Sequence, residues 1–303
     1  MKAILSYLRE YFYEVDKRIL VLVSELTALL IFLNYYYRID RAISDQHSFA
    51  YSFISRYFIF LIAFALPYLL YVLLKQKKYF TQPLFLLLLV IAPAIFSLKA
   101  ALNIPLHFSE SKNWNDYWNT IFYWPLRLIV VAAILFIIWK LTEKDQSFYG
   151  MTVHKLQFKP YVLMLLIMLP LIAAASTQPD FLSMYPKLKL IAGVYDEAGM
   201  SWWHKLIFEL SYGSDFISIE LFFRGFLILA FIKWAGKDAI LPMACFYCTI
   251  HFGKPLGECI SSYFGGMILG IVVYHTRSII GGLMVHLGIA WLMELGGYIG
   301  NSF

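Results

Sequence analysis

Charge is scarce in this 303-residue chain: Lys, Arg, Asp and Glu make up 15% of it, where soluble domains carry about 25%. The hydrophobic set reaches 61%, aromatics 18% and mean hydropathy +0.68. So few polar side chains cannot cover a water-soluble protein of this size, and intrinsic disorder needs the opposite balance. Cysteine is scarce too. Cys245, Cys248 and Cys259 are too few for a secreted disulfide framework, and Cys245-Phe-Tyr-Cys248, with no second CxxC, reads as small apolar residues in a helix. There is no HExxH for a zinc protease and no GxSxG for a serine nucleophile elbow. Internal repeats, low-complexity segments and a soluble domain are all lacking. No signal peptide is expected, because the first long apolar run starts near Leu20 without a small-residue cleavage site behind it. Nucleic acid is not a fitting partner either. The net charge of +6 and pI near 9.0 are what loop Lys and Arg of a membrane protein produce.

What is abundant is long apolar sequence. A spanning helix needs about 20 mostly apolar residues, and candidates lie at 19–37, 51–74, 80–98, 120–139, 161–176, 203–232, 239–252, 260–275 and 279–299. The fifth and seventh are short, so the expectation is an all-α polytopic membrane protein with eight or nine transmembrane helices. Residues 1–18 alternate aromatic or aliphatic groups with Lys, Arg and Glu, which suits a helix lying in the membrane interface. With the N-terminus cytoplasmic, 14 Lys and Arg fall on the inner side and 8 on the outer, the bias of the positive-inside rule. Polar connections at 99–119, 140–160 and 177–202 read as surface loops with aromatic anchors. The second holds Lys144-Asp145 and Phe148-Tyr149-Gly150; the third holds Tyr185-Pro186-Lys187.

An ionisable group inside a span is expensive unless paired or hydrated, so its placement is informative. The N-terminal half has Glu25, Arg56 and Arg127, scattered, with both arginines able to reach the interface by snorkelling. The last third is richer. Asp215, Glu220 and Arg224 share one span, His251 ends the next, Glu258 follows beyond Pro255, and His286 and Glu294 share the last. Glu220 and Arg224, four apart, are placed for an ion pair on an α-helix, and His286, Ala290 and Glu294 fall on one helix face. Gly265, Gly266 and Gly270, then Gly281-Gly282 and Gly296-Gly297, allow close helix approach. A carboxylate in a low-dielectric cavity can take a proton from water, and an imidazole can hold that water or donate to a developing oxyanion. Together they suit hydrolysis of a peptide bond inside a membrane. A proton- or ion-coupled transporter would use the same residue types.

Glu220-Leu-Phe-Phe-Arg224-Gly225, then His251, then Gly265-Gly266-x3-Gly270 and His286 resemble the CPBP family, the type II CAAX proteases and bacteriocin-processing proteins. The resemblance covers roughly 205–299, so the chain divides into 1–200, unassigned helices and loops, and 201–303, a CPBP-like catalytic bundle. It implies an intramembrane endopeptidase built as a helical bundle around a polar cavity. The family's motifs are E-E-x-x-x-R, F-x-x-x-H and H-x-x-x-N/D, with the first glutamate activating water and the histidines and Asn stabilising the oxyanion. Aligned on Arg224, Glu220 takes the second glutamate position and Ile219 the first; Tyr247 replaces Phe and Ala290 the Asn or Asp. Asp215 lies one turn before Ile219, Glu294 one turn past Ala290, and His251-Phe-Gly-Lys-Pro-Leu-Gly-Glu258 can fold Glu258 back. This run, with a single motif-one glutamate, resembles a divergent branch.

The expected catalytic residues are therefore Glu220, His251, Glu258 and His286. Arg224 is a structural counter-ion, with Asp215 and Glu294 in support. The substrate is a membrane-associated or lipidated peptide or protein. No cofactor is required, and a metal ion is left open. Alternative readings are a catalytically inactive CPBP-like protein acting as a binding or immunity factor, and a transporter. The expected location is a membrane, specifically a bacterial cytoplasmic membrane.

Overall fold

The computed structural model describes residues 2–46, 48–144, 146–153, 156–195 and 199–301. Asp145 of the second polar loop and Lys155, counted among the inner basic residues, lie outside them. Chain order runs α1 (Lys2–Glu14), α2 (Lys17–Tyr37), α3 (Ile39–Ser44), α4 (Phe49–Lys75), α5 (Pro83–Ala101) and α6 (Lys112–Thr142). It continues with α7 (Phe158–Ala175), α8 (Pro179–Met184), a 3-10 stretch at Lys187–Val194, and α9 (Trp202–Glu220). A π-helical stretch, Leu221–Ala230, follows, then α10 (Ile232–Ala235), α11 (Ile240–Thr249), α12 (Leu256–Thr276) and α13 (Ile280–Gly300). Among the described residues there is no β-strand. The protein is an all-α polytopic membrane protein.

All nine expected spans are helical, and among the described residues seven helices are long and apolar enough to cross a bilayer: α2, α4, α5, α6, α7, α12 and α13. The other two fall short for different reasons. Helix α9 carries His204, Lys205, Glu209, Asp215 and Glu220 within 19 residues. Helix α11 has 10 residues, which rise about 15 Å, half of a hydrocarbon core of about 30 Å. Every residue of α11 is buried. A helix that stops at half depth leaves backbone groups that only protein can satisfy, so it must be enclosed by its neighbours. Pro67, Pro93, Pro125 and Pro170 sit inside α4, α5, α6 and α7, as membrane helices tolerate. Leu29, Ile62, Ile129 and Leu166 on the spanning helices are exposed, a surface suited to lipid tails.

The chain forms two compact units. One comprises Met1–Leu102, Ile134–His154 and Leu221–Ile279; the other comprises Asn103–Ala133, Lys155–Glu220 and Ile280–Phe303. In the first, α11 packs against α2, α4 and α12. Its core is aromatic: Phe96 lies 5.0 Å from Phe222 and 4.9 Å from Phe223, and Phe60 4.9 Å from Phe246, centroid to centroid. Each ring removes a large apolar area from water or lipid headgroups and packs tilted or edge-on to its neighbours. In the second, α13 packs against α7, α8 and α9. The start of α6 is fixed to α9 by Tyr117 Oη donating to the His204 carbonyl (2.9 Å) and Ser211 Oγ donating to the Ile121 carbonyl (2.5 Å).

Candidate functional site

The second unit holds a carboxylate–imidazole pair. His286 Nδ1 and Glu220 Oε1 are 2.8 Å apart, and Glu220 is fully buried. Glu220 is the last residue of α9, and His286 lies on the second turn of α13. The pair is held from two sides. Phe216, one turn before Glu220, sets its ring edge-on to the His286 imidazole at 4.8 Å. Gly282, one turn before His286, leaves room for the carboxylate: a Cβ there would lie 3.0 Å from Glu220 Oε2. An ionised carboxylate only accepts hydrogen bonds, so in this contact an ionised Glu220 accepts from His286 Nδ1.

Asp215 and Glu294 have partners on their own helix and on a connection. Ser218 Oγ donates to the Asp215 carbonyl (2.7 Å) and reaches Oδ1 at 3.3 Å. Glu294 is buried and accepts from two backbone amides, Lys187 N (2.7 Å) and Leu188 N (3.3 Å). Those amides open the 3-10 stretch, whose first N–H groups have no partner of their own. Glu294 thus caps a connection, a role its place on the His286 face does not reveal.

In the first unit, Arg224 lies over the Tyr247 ring with its guanidinium carbon 4.0 Å from the centroid. It is fully buried, where a cation–π contact is worth more than at a surface. The four-residue spacing that predicts an ion pair with Glu220 assumes an α-helix. Leu221–Ala230 is π-helical instead, and π segments recur at functional sites. Tyr247 also accepts, through its carbonyl, from His251 Nδ1 (3.1 Å), and its ring lies edge-on to His251 at 4.8 Å. A carbonyl cannot donate, so His251 bears its proton on Nδ1 and presents Nε2. Gly266 of α12 admits the Tyr247 ring, since a Cβ there would meet its Cδ1 at 2.8 Å. Glu258 sits in the first turn of α12, 3.3 Å from Lys254 Nζ, where the helix N-terminus favours a negative charge.

Tyr247 and Gly282 were not singled out as site residues by the sequence. Gly282 had a signal: it lies four residues before His286, on the same helix face. Tyr247 had only its place at the Phe of the second family motif. The thiols of Cys245, Cys248 and Cys259 are free and buried. Cys248 Sγ is 3.9 Å from Cys259 Sγ and 3.3 Å from the Cys259 carbonyl, across the α11–α12 connection. Among the described residues no three His, Cys, Asp or Glu side chains gather as a metal centre needs, so no step is routed through a metal.

Residues 206–292 match the family model described as type II CAAX prenyl endopeptidase Rce1-like. No curated protein and no solved structure gives a significant match to the chain. The matched segment holds Asp215, Glu220, Arg224, His251, Glu258 and His286 and stops two residues short of Glu294. Through this segment the chain is similar to the CAAX-type intramembrane proteases.

Proposed function

We propose that the chain is an endopeptidase that hydrolyses a peptide bond of a membrane-associated or lipidated substrate, with Glu220 and His286 acting as one water-activating pair. The observation that carries this reading is the 2.8 Å contact between Glu220 Oε1 and His286 Nδ1, enclosed by Phe216 and Gly282. His286 Nε2 takes a proton from water as the water oxygen attacks the scissile carbonyl carbon. Glu220 orients the ring and stabilises the imidazolium. Collapse of the tetrahedral intermediate breaks the C–N bond, and the imidazolium returns its proton to the leaving nitrogen. Peptide and water become acid and amine.

Glu258 supports this chemistry less well than Glu220, since Lys254 already pairs with it. The family resemblance implies oxyanion stabilisation for His251, which requires the doubly protonated ring, with Nδ1 on the Tyr247 carbonyl and Nε2 donating. Arg224 is a structural cation seated on Tyr247. We place the catalytic segment at 201–303, the N-terminus on the cytoplasmic side, and the protein in a bacterial cytoplasmic membrane. The test uses the purified full chain in liposomes with a panel of membrane-anchored peptides, comparing wild type with Glu220→Gln and His286→Ala. Cleavage that falls by about 100-fold or more in both variants is expected for a lost general base. A wild-type rate in either variant would refute the pair. A wild type that cleaves nothing on the panel, yet retains a peptide, would favour the binding-factor reading.

A further inference from the structure

Phe252, Gly253 and Lys254 lie between α11 and α12, where the helical ladder is broken and carbonyls need outside donors. Two of those donors come from α2. Asn34 Nδ2 donates to the Phe252 carbonyl (3.0 Å), and Tyr35 Oη donates to the Lys254 carbonyl (2.5 Å). Asn34 is 3% exposed, and a buried amide inside a membrane helix is costly unless both its ends are used. Here they are: Asn34 Oδ1 accepts from the Asp40 backbone N–H (2.9 Å), across the left-handed Arg38 that joins α2 to α3.

Asp40 closes the third side. A Cβ on Gly253 would lie 2.7 Å from Asp40 Oδ2, so the loop backbone runs directly against the carboxylate. Asp40 cannot drift away, because Arg56 of α4 holds Oδ1 at 2.9 Å and also reaches Ser44 Oγ at 2.9 Å. Arg56, scattered in the sequence, thereby acquires a partner and a purpose. The held stretch begins at the residue after His251 and ends on Lys254, whose ammonium meets Glu258. Tyr247 sets the tilt of the His251 ring; α2 and α3 set where its backbone stands.

We propose that α2 and α3 clamp the His251–Glu258 connection, and that Asn34 and Tyr35 are positioning residues for His251. The clamp lies entirely outside the matched segment 206–292. It rests on the proposed function only in that His251 serves the reaction, so its test includes a readout that needs no catalysis.

That readout is acylation of His251 by diethyl pyrocarbonate, followed by peptide mass, in the full chain with exposed His107 as internal control. Losing one hydrogen bond frees the loop about fivefold, so Tyr35→Phe and Asn34→Leu are each expected to raise the His251 rate about fivefold over His107. In the cleavage assay the same variants are expected to lower kcat with KM unchanged. A His251 rate within twofold of wild type overturns the clamp. Should Asn34→Leu fail to fold, Tyr35→Phe, which deletes one oxygen, decides alone. A faster rate with kcat unchanged in an active wild type overturns the positioning role. A faster rate in a chain that cleaves nothing leaves the clamp standing and removes the proposed function instead.

Discussion

Gly282→Ala separates the geometry of the Glu220–His286 pair from the stability of the protein. The added Cβ would lie 3.0 Å from Glu220 Oε2; ordinary contact begins near 3.5 Å, so roughly 0.5 Å must be found. Moved along the hydrogen bond, that displacement takes the 2.8 Å contact to about 3.3 Å, beyond the usual limit for N–H···O. For folding, two effects oppose each other. Ala in place of Gly in a helix interior gains about 1 kcal/mol, and local overpacking costs about 1–3 kcal/mol. The net change is expected within about 2 kcal/mol of wild type, small enough for the variant to purify as a folded protein. Catalysis has no such compensation. A misplacement of about 1 Å costs about 100-fold, so half of it is expected to cost about tenfold in kcat. The assay pairs thermal unfolding in detergent with single-turnover cleavage of a membrane-anchored peptide. Gly265→Ala is the control, because nothing lies within 4 Å of its would-be Cβ. Wild-type kcat in Gly282→Ala, or an equal loss in Gly265→Ala, would refute the reasoning.

Three further outcomes follow from the same contacts. Glu294→Ala removes the acceptor for two backbone amides and is expected to destabilise by about 2–3 kcal/mol, read by thermal unfolding, while kcat of the folded fraction falls far less than in Glu220→Gln. Arg224→Lys replaces a planar cation on the Tyr247 ring by a compact, strongly hydrated one; a loss of about 1–2 kcal/mol is expected, and wild-type stability would deny the stacked contact. Asp16 caps α2 through the Arg18 and Ile19 amides, and Lys75 Nζ at 3.0 Å, with Arg18 assisting against partial burial, holds its carboxyl down to about 2. A carboxyl depressed on folding stabilises above its ordinary pKa near 3.9. That contribution is lost as pH falls through about 2. Asp16→Ala is expected to cost roughly 1 kcal/mol at neutral pH, and the difference from wild type should close in unfolding measured near pH 2.

The helices were legible because apolar runs mark them: each of the nine runs is helical, and among the described residues seven helices are long and apolar enough to span. Length also misleads. The run 239–252 ends as the 10-residue α11, because Gly236 and Pro255 bracket it and its neighbours supply the enclosure that a full span takes from lipid. The cluster of acids and histidines was legible as cost, since no apolar environment tolerates those groups by accident. Their pairings were not. Glu220 and His286 are 66 residues apart, while the spacing rules that make a sequence readable reach only one helical turn. Those rules placed Glu220 and Arg224 within reach of each other but are silent on His286 and Tyr247. The structure gives Glu220 a bond to His286, seats Arg224 on Tyr247, and brings Cys248 to Cys259.

The two motif positions that this chain has lost bear on which groups remain to do the chemistry. Ile219 and Ala290 are both buried and apolar, so neither can accept or donate a proton. The acids one turn away were candidates to replace them, and their bonds decide between them. Glu294 is occupied by the Lys187 and Leu188 amides; turning it toward His286 would strand two N–H groups in a buried connection, at about 1–3 kcal/mol each. Asp215 is engaged with Ser218 on its own helix, and helix geometry puts it one turn, about 5.4 Å along the axis, before Ile219. Glu220 needs no such rearrangement. It ends α9 where the π segment begins, already bonded to His286 and with a glycine cut to its shape. In the proposed mechanism, a carboxylate that orients an imidazole requires one acid rather than two, because the histidine supplies the lone pair. Ile219 then removes no group that the proposed Glu220–His286 pair uses.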